Sequence, residues 1–237
     1  MSINMGSQIL WEDYLLHVDM LEIIRRGSAE IIFGNNRGVL LKDNISDIYM
    51  MSAKDIETAQ LIINKIPEDT LMMVSHQEFY HDLIVKRFNF KDEMICYNVA
   101  YTKKNIIEIP KCKADIRVLQ VDNIKQVIEN YSSLDLANEE YILERINTKT
   151  MFGAFIGEQL CGFVGTHEEG SIGILEVLPK YKGLGIGAAL QATATNQGLL
   201  AGRYPYGQVK VGNVASITLQ KKLGFEISKD KVWWFFK

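Results

Sequence analysis

The run Leu175-Glu176-Val177-Leu178-Pro179-Lys180-Tyr181-Lys182-Gly183-Leu184-Gly185-Ile186-Gly187-Ala188 closes a β-rich stretch with a proline and passes through spaced glycines into helix-forming sequence. Such a loop can hold a diphosphate. Glycines let successive N–H groups turn into one concavity, the helix start adds its positive end, and Lys182 adds a charge. Glycine turns also serve as plain strand-to-helix links, so the pattern alone leaves both readings open. The spacing is not the dinucleotide fingerprint, since no G-x-G-x-x-G closes an early βαβ unit. It is not a P-loop either, since no Gly-Lys-Ser/Thr follows.

Groups able to move a proton stand just upstream. If Leu175 and Val177 point to a core, period-2 alternation turns Glu176 to the opposite, cleft-facing side. There it is a candidate base for an attacking amine, or a strand carboxylate paired with solvent or a lysine. His167, with Glu168 and Glu169, stands at the turn entering that strand, as a second candidate or as part of a solvated hairpin tip. Asn213 opens a helix and Ser216 falls in its first turn, an arrangement that caps free N–H groups. His76 and His81 are five apart with no carboxylate or cysteine at ligand spacing, and no metal site is expected. Cys96, Cys112 and Cys161 form neither a disulfide framework nor a zinc set and read as reduced thiols.

These residues need a frame. Helical spacing predicts one amphipathic helix from Ile9 to Arg26, then a meander of strands at Glu30–Phe33, Gly38–Lys42 and Asp47–Met51. A helix Asp55–Ile66, a strand Leu71–Val74, a helix Gln77–Phe88 and a strand Met94–Tyr101 follow, and the broken stretch Thr102–Asp115 reads as a boundary. The second half runs through a strand near Ile116–Leu119, helices Asp122–Tyr131 and Asn138–Ile146, and strands Met151–Ile156, Leu160–Thr166 and Ser171–Leu178. It ends in a helix Gly185–Leu200, a strand Gln208–Val211, a helix Val214–Leu223 and a strand Val232–Phe236. The expected class is α/β with a mixed sheet, as two tandem domains, 1–113 and 114–237. At an offset of 135, Val74 falls on Val209 and Lys86-Arg87 on Lys221-Lys222; Tyr49–Met51 needs 126 to meet Leu175–Val177. The first half is thus nine residues short opposite Pro179–Gly187, where the glycine loop lies.

The chain has 237 residues, 47% hydrophobic and 23% charged, enough for two small cores. A net charge of -3 gives no electrostatic footprint for nucleic acid or an anionic membrane. No apolar run reaches a membrane span, and the first twenty residues carry Glu12, Asp13 and Asp19 without a basic start, so a cytoplasmic address is expected.

The glycine loop, together with Asn213-Val214-Ala215-Ser216 and the Gly224-Phe225 pair, resembles the GNAT superfamily of acyl-CoA-dependent N-acyltransferases. The likeness covers about Ile116 to Phe236; Gly165–Pro179 and Trp233-Trp234 look most like the glycine-N-acyltransferase-like branch. For Met1–Lys113 it is architectural, like a degenerate second domain of the same type.

The resemblance implies acetyl-CoA as cosubstrate, its pyrophosphate held by Lys182, Gly183, Leu184, Gly185, Ile186, Gly187 and Ala188, with Asn213 and Ser216 also touching the coenzyme. Lysine replaces the family's arginine or glutamine at 182, keeping charge but losing bidentate geometry. Pantetheine would pair with the main chain of Leu175 and Val177, and a bulge there would free an N–H for the thioester oxyanion. The implied reaction is acetyl transfer to a primary amine of a small molecule, Glu176 or His167 accepting the proton, with Tyr204 and Tyr206 on the acceptor side. Two positions depart from the pattern: the usual tyrosine acid is Gln220, and a glutamate base of some relatives is Gln208. They keep a rival in view, a non-catalytic acyl-CoA-binding regulatory or scaffold protein. A homodimer is the assembly left open.

Overall fold

Two sheets organise the computed structural model, which describes residues 5–132 and 138–237. The chain begins with α1 (Met5–Glu12), α2 (Val18–Arg25), β1 (Ala29–Gly34), β2 (Gly38–Asp43), β3 (Tyr49–Ala53), α3 (Ile56–Ile63), β4 (Met72–Ser75), α4 (His81–Arg87) and β5 (Asp92–Ala100). It continues with β6 (Asp115–Val118), α5 (Ile124–Ile128), α6 (Glu139–Asn147), β7 (Met151–Ile156), β8 (Gln159–Thr166), β9 (Ile172–Val177) and α7 (Ile186–Leu200). It closes with β10 (Tyr206–Lys210), α8 (Val214–Lys222) and β11 (Glu226–Phe236). The class is mixed α/β, with strand order β1-β2-β3-β4-β11-β5-β10 in one sheet and β6-β7-β8-β9 in the other.

The chain packs as two units, one of residues 1–100, 208–217 and 226–237, the other of 101–207 and 218–225. In the first, β11 lies between β4 and β5, antiparallel to both, with Trp233 opposite Ser75 on one side and Ile95 on the other. Where β11 is paired on both edges its residues are apolar, and Val232, Trp233, Trp234 and Phe235 are all buried. The carboxy-terminal strand thus belongs to the amino-terminal unit, and the linker after Ala100 belongs to the other. Compactness therefore divides the chain differently from a single cut at 113.

Two elements differ from the sequence expectation. The helix expected over 9–26 is broken into α1 and α2, and between them the Asp13 carboxylate accepts from Leu16 N–H at 3.1 Å, a local side-chain bond that competes with the helical ladder. β11 starts at Glu226, six residues early. A register shift between Ile227 and Lys231 accommodates its polar Ser228-Lys229-Asp230 stretch, and the Ser228 hydroxyl accepts from Asn98 N–H at 3.1 Å.

In the second unit the four antiparallel strands carry a core on each face. Leu119, Val127, Ile142, Ile146, Phe163 and Ile174 pack on the α5–α6 side. Phe152, Val164, Ile172, Ile186, Leu190 and Ala194 pack under α7. Among the described strands β9 pairs with β8 alone, which leaves its other edge open. No helix among the described residues is long and apolar enough to cross a membrane.

The first unit buries a polar network. His76 Nε2 lies 3.0 Å from Asp19 Oδ1, His17 Nε2 lies 2.9 Å from Ser52 Oγ, and the two imidazole centroids are 5.3 Å apart. Burial, then the neighbouring His76, lowers the pKa of His17 to about 4. Burial also pushes His76 down, but the charge and hydrogen bond of Asp19 outweigh it and the net shift is upward. His17 therefore contributes stability above the ordinary value of 6.5 that is lost as pH falls toward 4, about 3 kcal/mol in all. His76 contributes stability below the ordinary value that is lost as pH rises through its raised folded pKa. Urea unfolding between pH 4 and 8 should show a maximum near 6.5, and His17→Gln, which cannot titrate, should flatten the acid limb alone.

Candidate functional site

The glycine run folds as a nest. β9 ends at Val177, a single 3-10 turn over Pro179–Tyr181 follows, and Gly183 and Gly185 take φ of +80° and +79° before α7 begins. A side chain at either would be strained in that conformation. Gly185 occupies the N-cap without any side-chain cap. Among the described residues, the N–H groups from Gly183 to Ala188 meet no protein acceptor. Lys182 is exposed beside them, and Lys180 Nζ stands 4.9 Å over the Tyr181 ring. Unpaired N–H groups converging on the start of a fifteen-residue helix suit an anion, and a diphosphate in particular. This chain's own main chain thus presents a concavity of N–H donors at the start of α7.

Upstream, β9 carries a bulge. Phe163 pairs with Glu176 and Gly165 with Gly173, so Val164 faces both Ile174 and Leu175. Ile174 takes φ +52°, rare for a β-branched residue. The bulge returns Leu175 and Val177 to the α7 core, sends Ile174 to the α5–α6 core, and leaves Glu176 on the latter face. There the Glu176 carboxylate accepts from the Ser132 hydroxyl at 2.6 Å. Ser132 carried no signal in the sequence.

His167 sits at the far end of the same face. Tyr141 Oη lies 2.8 Å from His167 Nδ1, and its ring stacks at 5.9 Å. The imidazole fills the space a Cβ on Gly173 would take, at 2.5 Å from Nε2. Burial, then the Glu169 charge, drives the Tyr141 phenol upward, so it stays a neutral hydroxyl. Burial likewise raises Glu168 against the opposing pull of Arg145, which lies 3.7 Å away. Glu169 is buried and accepts from the Ser171 hydroxyl, so the polar run is a built cluster rather than a solvated hairpin tip. Tyr141 and Arg145 were not legible as its partners, because they come from α6, far away in sequence.

Asn213 and Ser216 fall in the other unit, where Asn213 Oδ1 accepts from Ser216 N–H at 3.0 Å and so caps α8. Gln220, in the unit of the glycine loop, is buried, and its Oε1 has no protein partner. Tyr206 Oη donates to the Glu169 carbonyl at 3.2 Å. No group of three His, Cys, Asp or Glu side chains among the described residues could hold a metal ion.

A sequence profile of the FR47-like protein family matches residues 153–234, about a third of the chain. No curated protein matches. Among solved structures, the chain is similar to a Drosophila protein at TM-score 0.70 and 15% identity, covering 94% of this chain and 89% of that one. It is similar to a GCN5-related N-acetyltransferase from Sphaerobacter thermophilus at TM-score 0.58 and 11% identity, with 95% and 91% covered. A tandem GNAT protein from the clavulanic acid biosynthesis pathway matches at TM-score 0.50 and 12% identity, with 92% and 86% covered. The fold is therefore of GNAT type.

The bulge depends on close approach of β8, where a Cβ on Gly162 would meet the Glu176 carbonyl at 2.7 Å and the Val177 Cα at 3.2 Å. Neither neighbour is a flexible tip. Gly162→Ala should cost about 1–3 kcal/mol in urea unfolding, as backbone is forced aside, and should broaden the amide signals of β9 in NMR spectra.

Proposed function

We propose that the chain is an acyl-CoA-dependent N-acyltransferase that moves an acetyl group from acetyl-CoA to the primary amine of a small molecule. The observation that carries this reading is the continuity of an open, bulged strand edge with an unpaired N–H nest, from Ile174 to Ala188. The coenzyme supplies the activated thioester. The chain's part is to hold its pyrophosphate with Lys182 and the main chain of Gly183 to Ala188, and to pair pantetheine with β9 at Leu175 and Val177. A main-chain N–H released from the ladder at the bulge faces the thioester oxygen as charge builds there, a contribution of about 3 kcal/mol. Glu176 accepts the proton of the attacking amine, with Ser132 orienting its carboxylate. His167, fixed by Tyr141, is the second candidate base. Asn213 and Ser216 touch the coenzyme in addition to capping α8. The Gly165–Pro179 stretch and Trp233-Trp234 support the glycine-N-acyltransferase-like branch, and this reading takes 1–113 as a degenerate counterpart of 114–237, expects a cytoplasmic address and leaves a homodimer open as the assembly.

The amino-terminal half is read as unable to bind the coenzyme. β3 leads into α3 without a glycine loop, and the helix start already holds a negative charge, because the Asp55 carboxylate caps Thr58 N–H at 2.9 Å. That hydrogen bond and Arg37 lower the Asp55 pKa to about 2. β3 is also paired on both edges, with β2 and β4, leaving no room for an added strand.

A second reading, an acyl-CoA-binding regulatory or scaffold protein, is favoured by Gln220, which cannot supply an acid proton to a departing thiolate. Thiol release on acetyl-CoA with a panel of small amines separates the two. The first reading expects amine-dependent release, a fall of about 10²–10³-fold in kcat for Glu176→Gln, and loss of coenzyme binding in calorimetry for Gly185→Val. Coenzyme binding without release across the panel supports the second.

A further inference from the structure

The segment that follows Ala100 does more than connect. Asn196, on α7, clamps its main chain: Nδ2 donates to the Ile107 carbonyl at 2.8 Å and Oδ1 accepts from Ile107 N–H at 2.7 Å. Four to five residues on, the Lys111 carbonyl lies 3.6 Å and the Cys112 Cβ 3.9 Å from where a Gly185 side chain would begin. Asn196 to Gly185 spans about 16 Å of helix, and Ile107 to Cys112 about 16 Å of extended chain. The segment therefore runs straight along α7 in the opposite sense and ends against the glycine nest. Its last part alternates: Cys112, Ala114 and Ile116 pack into the core under α7, while Lys111 and Lys113 are exposed. Lys180 and Lys182 are exposed in the loop itself. Among the described residues, none of these four lysines has a carboxylate within ion-pair distance, and the nearby Asp115 is held by Arg117 at 3.6 Å.

We propose that Lys111 and Lys113 form a second wall of the coenzyme site and bind the 3′-phosphate of coenzyme A, so that the chain selects the coenzyme over its dephospho form. This inference rests on the coenzyme reading above. Main-chain N–H groups carry partial charges and suit the shared, singly charged phosphates of the diphosphate. A terminal monoester brings close to two negative charges and needs whole positive ones. Lysine suits it as a mobile point charge, where arginine's planar fork would demand one geometry. A net-negative chain that leaves four lysines unpaired, two on the loop and two on the segment that abuts Gly185, favours positive potential on this side of the unit.

The test is calorimetry of the full chain with coenzyme A and with 3′-dephospho-coenzyme A, at two salt concentrations. The expected result is about tenfold tighter binding of coenzyme A, from two partly exposed contacts, narrowing at high salt. The double variant Lys111→Ala, Lys113→Ala should lose that preference with dephospho-coenzyme affinity held within about twofold, and the Lys→Arg pair should keep most of it. Equal affinity of the wild type for both ligands overturns the inference while leaving the coenzyme reading intact, as does a double variant that weakens both ligands alike. No heat with either ligand removes the coenzyme reading and this inference together. Unchanged thermal midpoints of the free variants, whose altered side chains are exposed, establish that a lost preference is not a folding defect.

Discussion

An open strand edge in water is a liability, since its unpaired N–H and C=O groups recruit other chains. β9 keeps such an edge and adds a bulge with Ile174 at φ +52°, a conformation that costs on the order of 1–3 kcal/mol. The surroundings overdetermine it. Ile174 is buried at 4% exposure among residues of α5, α6 and the sheet, and Gly162, Gly165 and Gly173 surround the bulge. A Cβ on Gly162 would meet the Glu176 backbone, one on Gly165 would press on Ile174 Cδ1 at 3.1 Å, and one on Gly173 would displace the His167 ring. Strain held this firmly is consistent with a strand kept from pairing so that something else can pair with it.

The amino-terminal unit answers the same architectural problem in the opposite way. Its β3 is regular, paired on both sides, and followed at once by a carboxylate-capped helix. Its polar residues turn inward into a closed network of His17, Asp19, Ser52, His76 and Gln77, where hydrogen bonds are internally met. Gln208 belongs to this network, donating to Asp19 at 3.4 Å. A glutamate there would set a second carboxylate against Asp19, so the amide at 208 has a local electrostatic reason that needs no reference to catalysis.

Legibility followed the range of the interactions. The glycine loop, the strand before it and the helix after it are set by local chemistry, and their bounds in the structure lie within a residue or two of those expected from Ser171–Leu178 and Gly185–Leu200. What sequence periodicity missed was long-range. Asp13 breaking the first helix depends on a side-chain hydrogen bond, and the early start of β11 depends on partners some 130 residues away in β5. The Tyr141–His167 and Ser132–Glu176 contacts join α6 to the turn before β9, and the turn after α5 to β9 itself, with no shared sequence pattern. The strain at Ile174 left no trace beyond the density of glycines around it.

Gln220, where the proposed family usually carries a tyrosine acid, bears most directly on how the proposed transfer would end. Its Oε1 is buried without a protein partner, a cost of about 1–3 kcal/mol that a folded chain ordinarily avoids. An amide oxygen there can only accept. The Gln220 Nε2–H2 can donate a hydrogen bond to a thiolate, but neither end of the amide can supply an acid proton. In the proposed reaction the proton taken from the amine would reach sulfur by another route, through solvent or from the conjugate acid of Glu176. Turnover would then be paced by protonation of the leaving group rather than by attack on the thioester, and a better leaving thiol would speed it where a more nucleophilic amine would not.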